Sequence, residues 1–195
     1  MSAESATPAG GRTAWRVDGA SSLATFAVRN FGLNRVTGTV PLTDGSVLAD
    51  ASGAVVAVEG RADATRVDTR NARRDKDLRA RRLLAVTEFP AWSFASRSVR
   101  RTSGGWEIDG DLTVRTTAAL TLRVHEVHEV APGVARLSAT ASLDRRLVGV
   151  RAPRVLVGRR VEVTLDVVLQ LIGPPVPDRP TAITTPAVSG AAGSR

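Results

Sequence analysis

The chain of 195 residues has no cysteine, no tyrosine, two histidines and one methionine, and aromatic residues make up 4% of it. Without cysteine there can be no disulfide, no thiolate-held zinc or iron–sulfur centre and no cysteine nucleophile. No apolar run approaches the ~18 residues of a membrane-spanning helix. The opening residues, MSAESATPAGGRTAW, lack a positive segment followed by an apolar one, so a cytoplasmic address is expected. Scarce rings also argue against a single-strand nucleic-acid binder, which stacks bases on exposed aromatics. What is abundant is small and apolar: 43% of the residues are hydrophobic, enough for one folded domain. The formal charge is +8, almost all of it from arginine, since Lys76 is the only lysine. A general enrichment in Arg, Ala, Val and Gly accounts for that charge as readily as an anionic partner does.

Residues 1–13 and 172–195 are dominated by Pro, Gly, Ser, Thr and Ala and are expected to be disordered tails around a body at 14–171. Within the body the dominant period is two. Alternation is clear at residues 24–28, 36–40, 56–65, 91–95, 106–115, 118–125, 135–141 and 161–171. This predicts about eight strands, each polar on one face, joined by short turns such as Asp44-Gly45-Ser46 and Ser103-Gly104-Gly105. The expected fold is all-β, an antiparallel barrel of eight strands, because closure removes the exposed edges. Gly60, Ala62, Ala64, Gly110 and Ala118 on the inner face would leave space beside Phe26, Trp92, Phe94 and Trp106. Periodicity alone leaves a hollow barrel and a solidly packed one equally open.

One segment departs from this period. From Asp68 or Thr69, read as the N-cap, charged helix-tolerant residues run through Arg79, and a helix is expected to continue toward Leu83 and Leu84 before Pro90 returns the chain to strand. This insertion holds Arg66, Arg70, Arg73, Arg74, Lys76, Arg79, Arg81 and Arg82 against Asp68, Asp75 and Asp77. Its arginines either pair with nearby carboxylates to hold the helix on the barrel, or offer a surface to an acidic partner or nucleic acid.

Catalytic patterns are weak. His125 and His128 are three apart in a strand pattern, on opposite sides, so they do not form the paired ligands of a helical zinc motif, and no metal site is expected. No other histidine exists to serve a Ser–His–Asp triad. A carboxylate base such as Asp75 has only its presence in its favour.

Five separated motifs resemble the YceI-like family in order across residues 14–171. They are Trp15-Arg16-Val17-Asp18 with Ser22-Leu23-Ala24-Thr25-Phe26-Ala27-Val28; Val67-Asp68-Thr69, Asn71, Arg74-Asp75 and Leu78-Arg79; Phe89-Pro90 with Phe94 and Ser96; Gly110-Asp111-Leu112-Thr113-Val114 with Leu120-Thr121-Leu122; and Leu143-Asp144-Arg145 through Gly149-Val150. The resemblance implies a lipocalin-like barrel with a helical insertion and an elongated cavity for a polyisoprenoid lipid or isoprenoid quinone. It implies a binding protein without catalysis or cofactor, and a homodimer through an outer barrel face. The expected lining is Phe26, Val28, Trp92, Phe94, Leu112, Val114, Leu120 and Leu122, with Asn30, Arg74, Asp75 and Arg79 at the mouth. This chain departs from the pattern at Ser21, Asn30 and Asp77, where the family has histidine, at Leu83-Leu84, which replaces an aromatic pair, and at Leu147-Val148, which replaces an aspartate and an aromatic. A changed ligand is therefore expected.

Overall fold

A computed structural model describes residues 12–30, 34–152 and 157–172. The two tails expected from composition lie almost wholly outside these residues, as does the opening segment from which an address was read. The elements are β1 (Thr13–Val17), β2 (Leu23–Asn30), β3 (Asn34–Ala49), β4 (Val55–Asp63), a single 3-10 turn (Ala64–Arg66), α1 (Ala72–Arg79), β5 (Ala91–Thr102), β6 (Gly105–Thr113), β7 (Thr117–Ala131), β8 (Val134–Asp144) and β9 (Val157–Ile172).

The nine strands form one antiparallel sheet that closes because β3 pairs with β4 as well as with β2. Its cross-section nevertheless has eight staves. β1 pairs with β3 from Thr13↔Ala49 to Arg16↔Ser46 and with β9 from Ala14↔Ile172 to Val17↔Leu169. β2 continues the same line, from Leu23↔Pro41 on β3 and Leu23↔Asp166 on β9. β1 and β2 are thus two halves of one stave. At the break Ser22, buried, holds both neighbours: its Oγ accepts from Val168 N at 2.9 Å, and its carbonyl accepts from Leu42 N at 3.2 Å.

Several local expectations change. Asp44-Gly45-Ser46 is not a turn but the middle of β3. Glycine is needed there because a β-carbon on Gly45 would stand 2.6 Å from the Glu59 carbonyl and 2.8 Å from Val17. In β4 the inward series starts at Val55, not Val56, because the register shifts between Leu48 and Ala49, leaving Val56 exposed. A second shift, between Val124 and Glu126, breaks the simple alternation around the histidines, and both imidazoles are exposed. His125 meets Thr140 Oγ1 at 2.7 Å, and His128 reaches Glu126 at 3.4 Å. Leu171, expected inside, is 43% exposed at the end of its strand.

The helix is shorter than the charge pattern predicts. Its N-cap is Asn71, whose side chain accepts from Arg74 N, rather than Asp68 or Thr69. It stops at Arg79 because Ala80 is extended, and the chain then turns back so that Leu84 N donates to the Leu78 carbonyl. Leu84 is buried all the same, against Val40, Ala62 and Val67. This group fills the helix-bearing end of the barrel, with Val148 and Ala85 also buried there.

Candidate functional site

The barrel encloses a cavity of about 540 Å³, within the ~300–1,000 Å³ typical of small-molecule sites. All eight residues expected to line it, Phe26, Val28, Trp92, Phe94, Leu112, Val114, Leu120 and Leu122, border it. So do all three tryptophans, Trp15, Trp92 and Trp106, and the inward residues of β9 from Val161 to Leu169. Alternation places them there: every second side chain of each stave points inward, and the turns lie at the barrel ends.

Space arises from glycine and from how the rings lie. Gly60 and Ala62 border the cavity, and a β-carbon on Gly60 would meet nothing within 4 Å. Gly110 leaves no void, because the Phe94 ring occupies the place of its missing side chain; the Phe26 ring does the same at Gly38. Ala64 and Ala118, also expected to open space, do not border the cavity. The two phenylalanines lie along the wall instead of crossing the lumen.

Three of the four residues expected at the mouth, Arg74, Asp75 and Arg79, form a clasp outside the lining. Asp75, 6% exposed, accepts from Thr69 N at 2.9 Å and from Thr69 Oγ1 at 2.5 Å. Arg74 donates to Thr69 Oγ1 at 2.7 Å and to the Thr69 carbonyl at 2.8 Å, and Arg79 to the Val67 carbonyl at 2.6 Å. Asp68 and Thr39 exchange backbone hydrogen bonds, which fixes the segment to β3. Burial raises the Asp75 pKa, but the Thr69 hydrogen bonds and the charges of Arg79 and Arg74 outweigh it, so the carboxyl ends below its ordinary value. The motif around Val67, Thr69, Asn71, Arg74, Asp75 and Arg79 is the device that seats α1 on the barrel. Asn30 ends β2 opposite Asn34 and Val157; its side chain lies outside the described residues. Among the other basic residues of the insertion, Arg82 pairs with Asp77 at 2.6 Å and Arg81 with Glu88 at 3.0 Å. Arg66, Arg70, Arg73 and Lys76 are exposed.

Sequence reasoning overlooked Arg145. It borders the cavity, is 4% exposed, and donates to the carbonyls of Gly158, Val150, Ala152 and Val157 at 2.7–2.9 Å. The other polar residues along the lining, Asp44, Glu59, Arg61 and Ser93, are exposed. Burial lowers the Arg145 pKa, and Asp144 offsets part of that. The Asp144 carboxylate is itself held by Arg146, at 2.8–3.2 Å. The signal that could have revealed Arg145 was its place in the late turn motif, where the family aspartate two residues on is Leu147 here.

At the opposite end the lining reaches the surface, since Gly53 and Val127 both border the cavity and are exposed. Among the described residues no group of three or more His, Asp or Glu side chains could hold a metal ion, and no helix is long and apolar enough to cross a membrane.

A closed antiparallel barrel around an apolar lumen defines a lipocalin-like class of fold. Within that class, the sequence profile of the YceI-like domain matches residues 15–169, and the chain belongs to the YceI-like family. It is 33% identical over 98 residues to protein YceI of Shigella flexneri and 32% identical over 98 residues to protein YceI of Escherichia coli O157:H7. Each match takes in 50% of this chain and 51% of the relative, so it spans about half the length of these curated relatives. Among solved structures, BcnA of Burkholderia cenocepacia superposes with a TM-score of 0.66 at 16% identity, covering 78% of this chain and 98% of that one. A polyisoprenoid binding domain from Saccharophagus degradans gives 0.58 at 11% identity, covering 81% and 98%. A Campylobacter jejuni YceI protein gives 0.58 at 13% identity, covering 70% and 85%. At these identities the likeness is one of fold.

Proposed function

We propose that this protein binds a long apolar molecule, a polyisoprenoid lipid or isoprenoid quinone, in the barrel lumen and carries or sequesters it without chemical change. The observation that carries the reading is the continuous apolar cavity, bordered by strands β1 to β9 and reaching the surface at Gly53 and Val127. Each buried methylene contributes about 0.8 kcal/mol, so a long tail can be held with few polar contacts. The polyisoprenoid binding domain of the same fold lends further support to the choice of ligand.

The test is native mass spectrometry of gently purified protein, followed by organic extraction. A stoichiometric molecule of several isoprene units supports the proposal. Empty protein that takes up neither added polyprenol nor quinone overturns it.

A further inference from the structure

From the register of β4 on β5 we infer that the lumen has a lateral gate between these two strands, latched by Ser96, through which an apolar ligand enters and leaves. This rests on the proposed binding role and concerns how that site exchanges its ligand.

β4 and β5 are in register from Asp63↔Ala91 to Glu59↔Ala95 and no further. Beyond Glu59 each strand keeps its other neighbour, β4 with β3 as far as Ala49↔Val55 and β5 with β6 as far as Thr102↔Gly105. The facing edges, residues 55–58 and 96–102, therefore run side by side without a shared ladder. At ~3.3 Å per residue this seam is about 13 Å long on its shorter side. Among the described strands no other neighbouring pair parts while both strands continue. The seam begins where β5 carries a bulge between Ser96 and Ser98, and a bulge bends its strand. One side-chain hydrogen bond crosses it: Val58 N donates to the Ser96 hydroxyl at 2.8 Å, where a continuing ladder would supply a carbonyl.

Beyond that latch, apolar side chains shut the seam. Val58 and Val99, one on each edge, both border the lumen and pack on the cluster of Ile108, Leu120 and Leu122. Apolar contact is non-directional, so it can part and re-form around an apolar chain, whereas a ladder would have to break bond by bond. The wall is also thin here. The exposed polar residues that border the lumen, Asp44, Glu59, Arg61 and Ser93, all lie on β3, β4 and β5, linked by the registers Asp44↔Arg61 and Arg61↔Ser93. Just inside, Gly60 leaves open space for an arriving tail.

The experiment follows geranylgeraniol on the full chain through the fluorescence of Trp15, Trp92 and Trp106, all of which border the lumen. Because the chain has no cysteine, Val56→Cys and Ser98→Cys, exposed on opposite edges of the seam, can be joined by a bismaleimide. Joining them is expected to slow uptake and release at least tenfold each. The dissociation constant should stay within twofold of that of the unjoined variant, because a gate alters the barrier and not the end states. Protein joined after loading should keep its probe through dilution. The same linker across Ser138→Cys and Asp166→Cys, on the unbroken β8–β9 ladder, should leave both rates within twofold. Ser96→Ala, which removes the latch, should speed both rates at least threefold at constant affinity. Unchanged rates in the joined seam, or equal slowing by the β8–β9 linker, overturn the gate and leave the binding reading standing. Failure of the wild type to take up the probe overturns both.

Discussion

The Phe94 ring lies against Gly110 on the neighbouring strand, its Cζ 2.6 Å from the point where a β-carbon on Gly110 would stand. An added methyl there meets an aromatic ring and the Ala95 carbonyl, neither of which can retreat without moving the wall. Gly110→Ala is expected to destabilise the fold by about 1–3 kcal/mol through overpacking. In the Phe94→Leu background the same change should cost less, so a double-mutant cycle by thermal or urea unfolding will show coupling. Simple addition of the two losses would mean that the ring is not what keeps a side chain out.

Gly60 is the opposite case, bordering the cavity with open space around it. Gly60→Leu should fold at least as stably as the wild type, because a side chain improves a strand position otherwise held by glycine. Its isobutyl group takes space from the ligand. Uptake of a long-chain isoprenoid, read by calorimetry or native mass spectrometry, should fall at least tenfold. Unchanged uptake would place the ligand elsewhere.

The Asp75 clasp carries a pH signature. Its carboxyl has a folded pKa below the ordinary 3.8, so its stabilisation is present in full above the unfolded value and is lost as the pH falls through the folded one. Asp75→Asn should cost about 1–3 kcal/mol at pH 7, since the amide still meets Thr69 but loses charge-assisted bonding. The gap in melting temperature between the two proteins should narrow below about pH 4. Asp50, Asp109 and Asp144 also have lowered values, so the difference between variants, not the wild-type curve alone, is the readout.

Replacing Arg66, Arg73 and Lys76 together by serine tests whether the exposed basic face takes part in function. Isoprenoid uptake should stay within twofold of the wild type, because none of the three borders the cavity. Any retention of the wild type on DNA should fall steeply between 50 and 200 mM salt, as counterion release requires. Loss of isoprenoid uptake in the triple variant would bring that face into the site.

The barrel was legible because period two is enforced wherever one face of a strand is buried, as in Trp106, Ile108, Leu112 and Leu122. The lining residues followed from the same rule. What escaped were irregularities that alternation does not encode: the bulge that turns Val55 inward in place of Val56, and the strand that runs through Asp44-Gly45-Ser46 where composition reads a turn. The helix stop at Ala80 is also invisible locally, because tertiary contacts of Leu84 with Val67 and Ala62 reward a turn over another helical residue. The role of Arg74, Asp75 and Arg79 stayed open in the sequence, between the cavity mouth and a tie of the helix to the barrel, for a different reason. Spacing brings them to one helix, but only the path of residues 67–69 beside β3 decides whether they face a ligand or the protein's own backbone.

The two-part stave has a kinetic meaning. β1 and β2 both hydrogen-bond to β9, the last strand in the described chain, and Ala14 is opposite Ile172. No lumen exists until that final strand arrives and zips along the first two, so closure waits for contacts between residues far apart in sequence, the kind that make folding slow. A nascent chain still lacking β9 therefore has an apolar trough open to solvent rather than a compartment, and anything the lumen holds is enclosed only once β9 has been made and has paired.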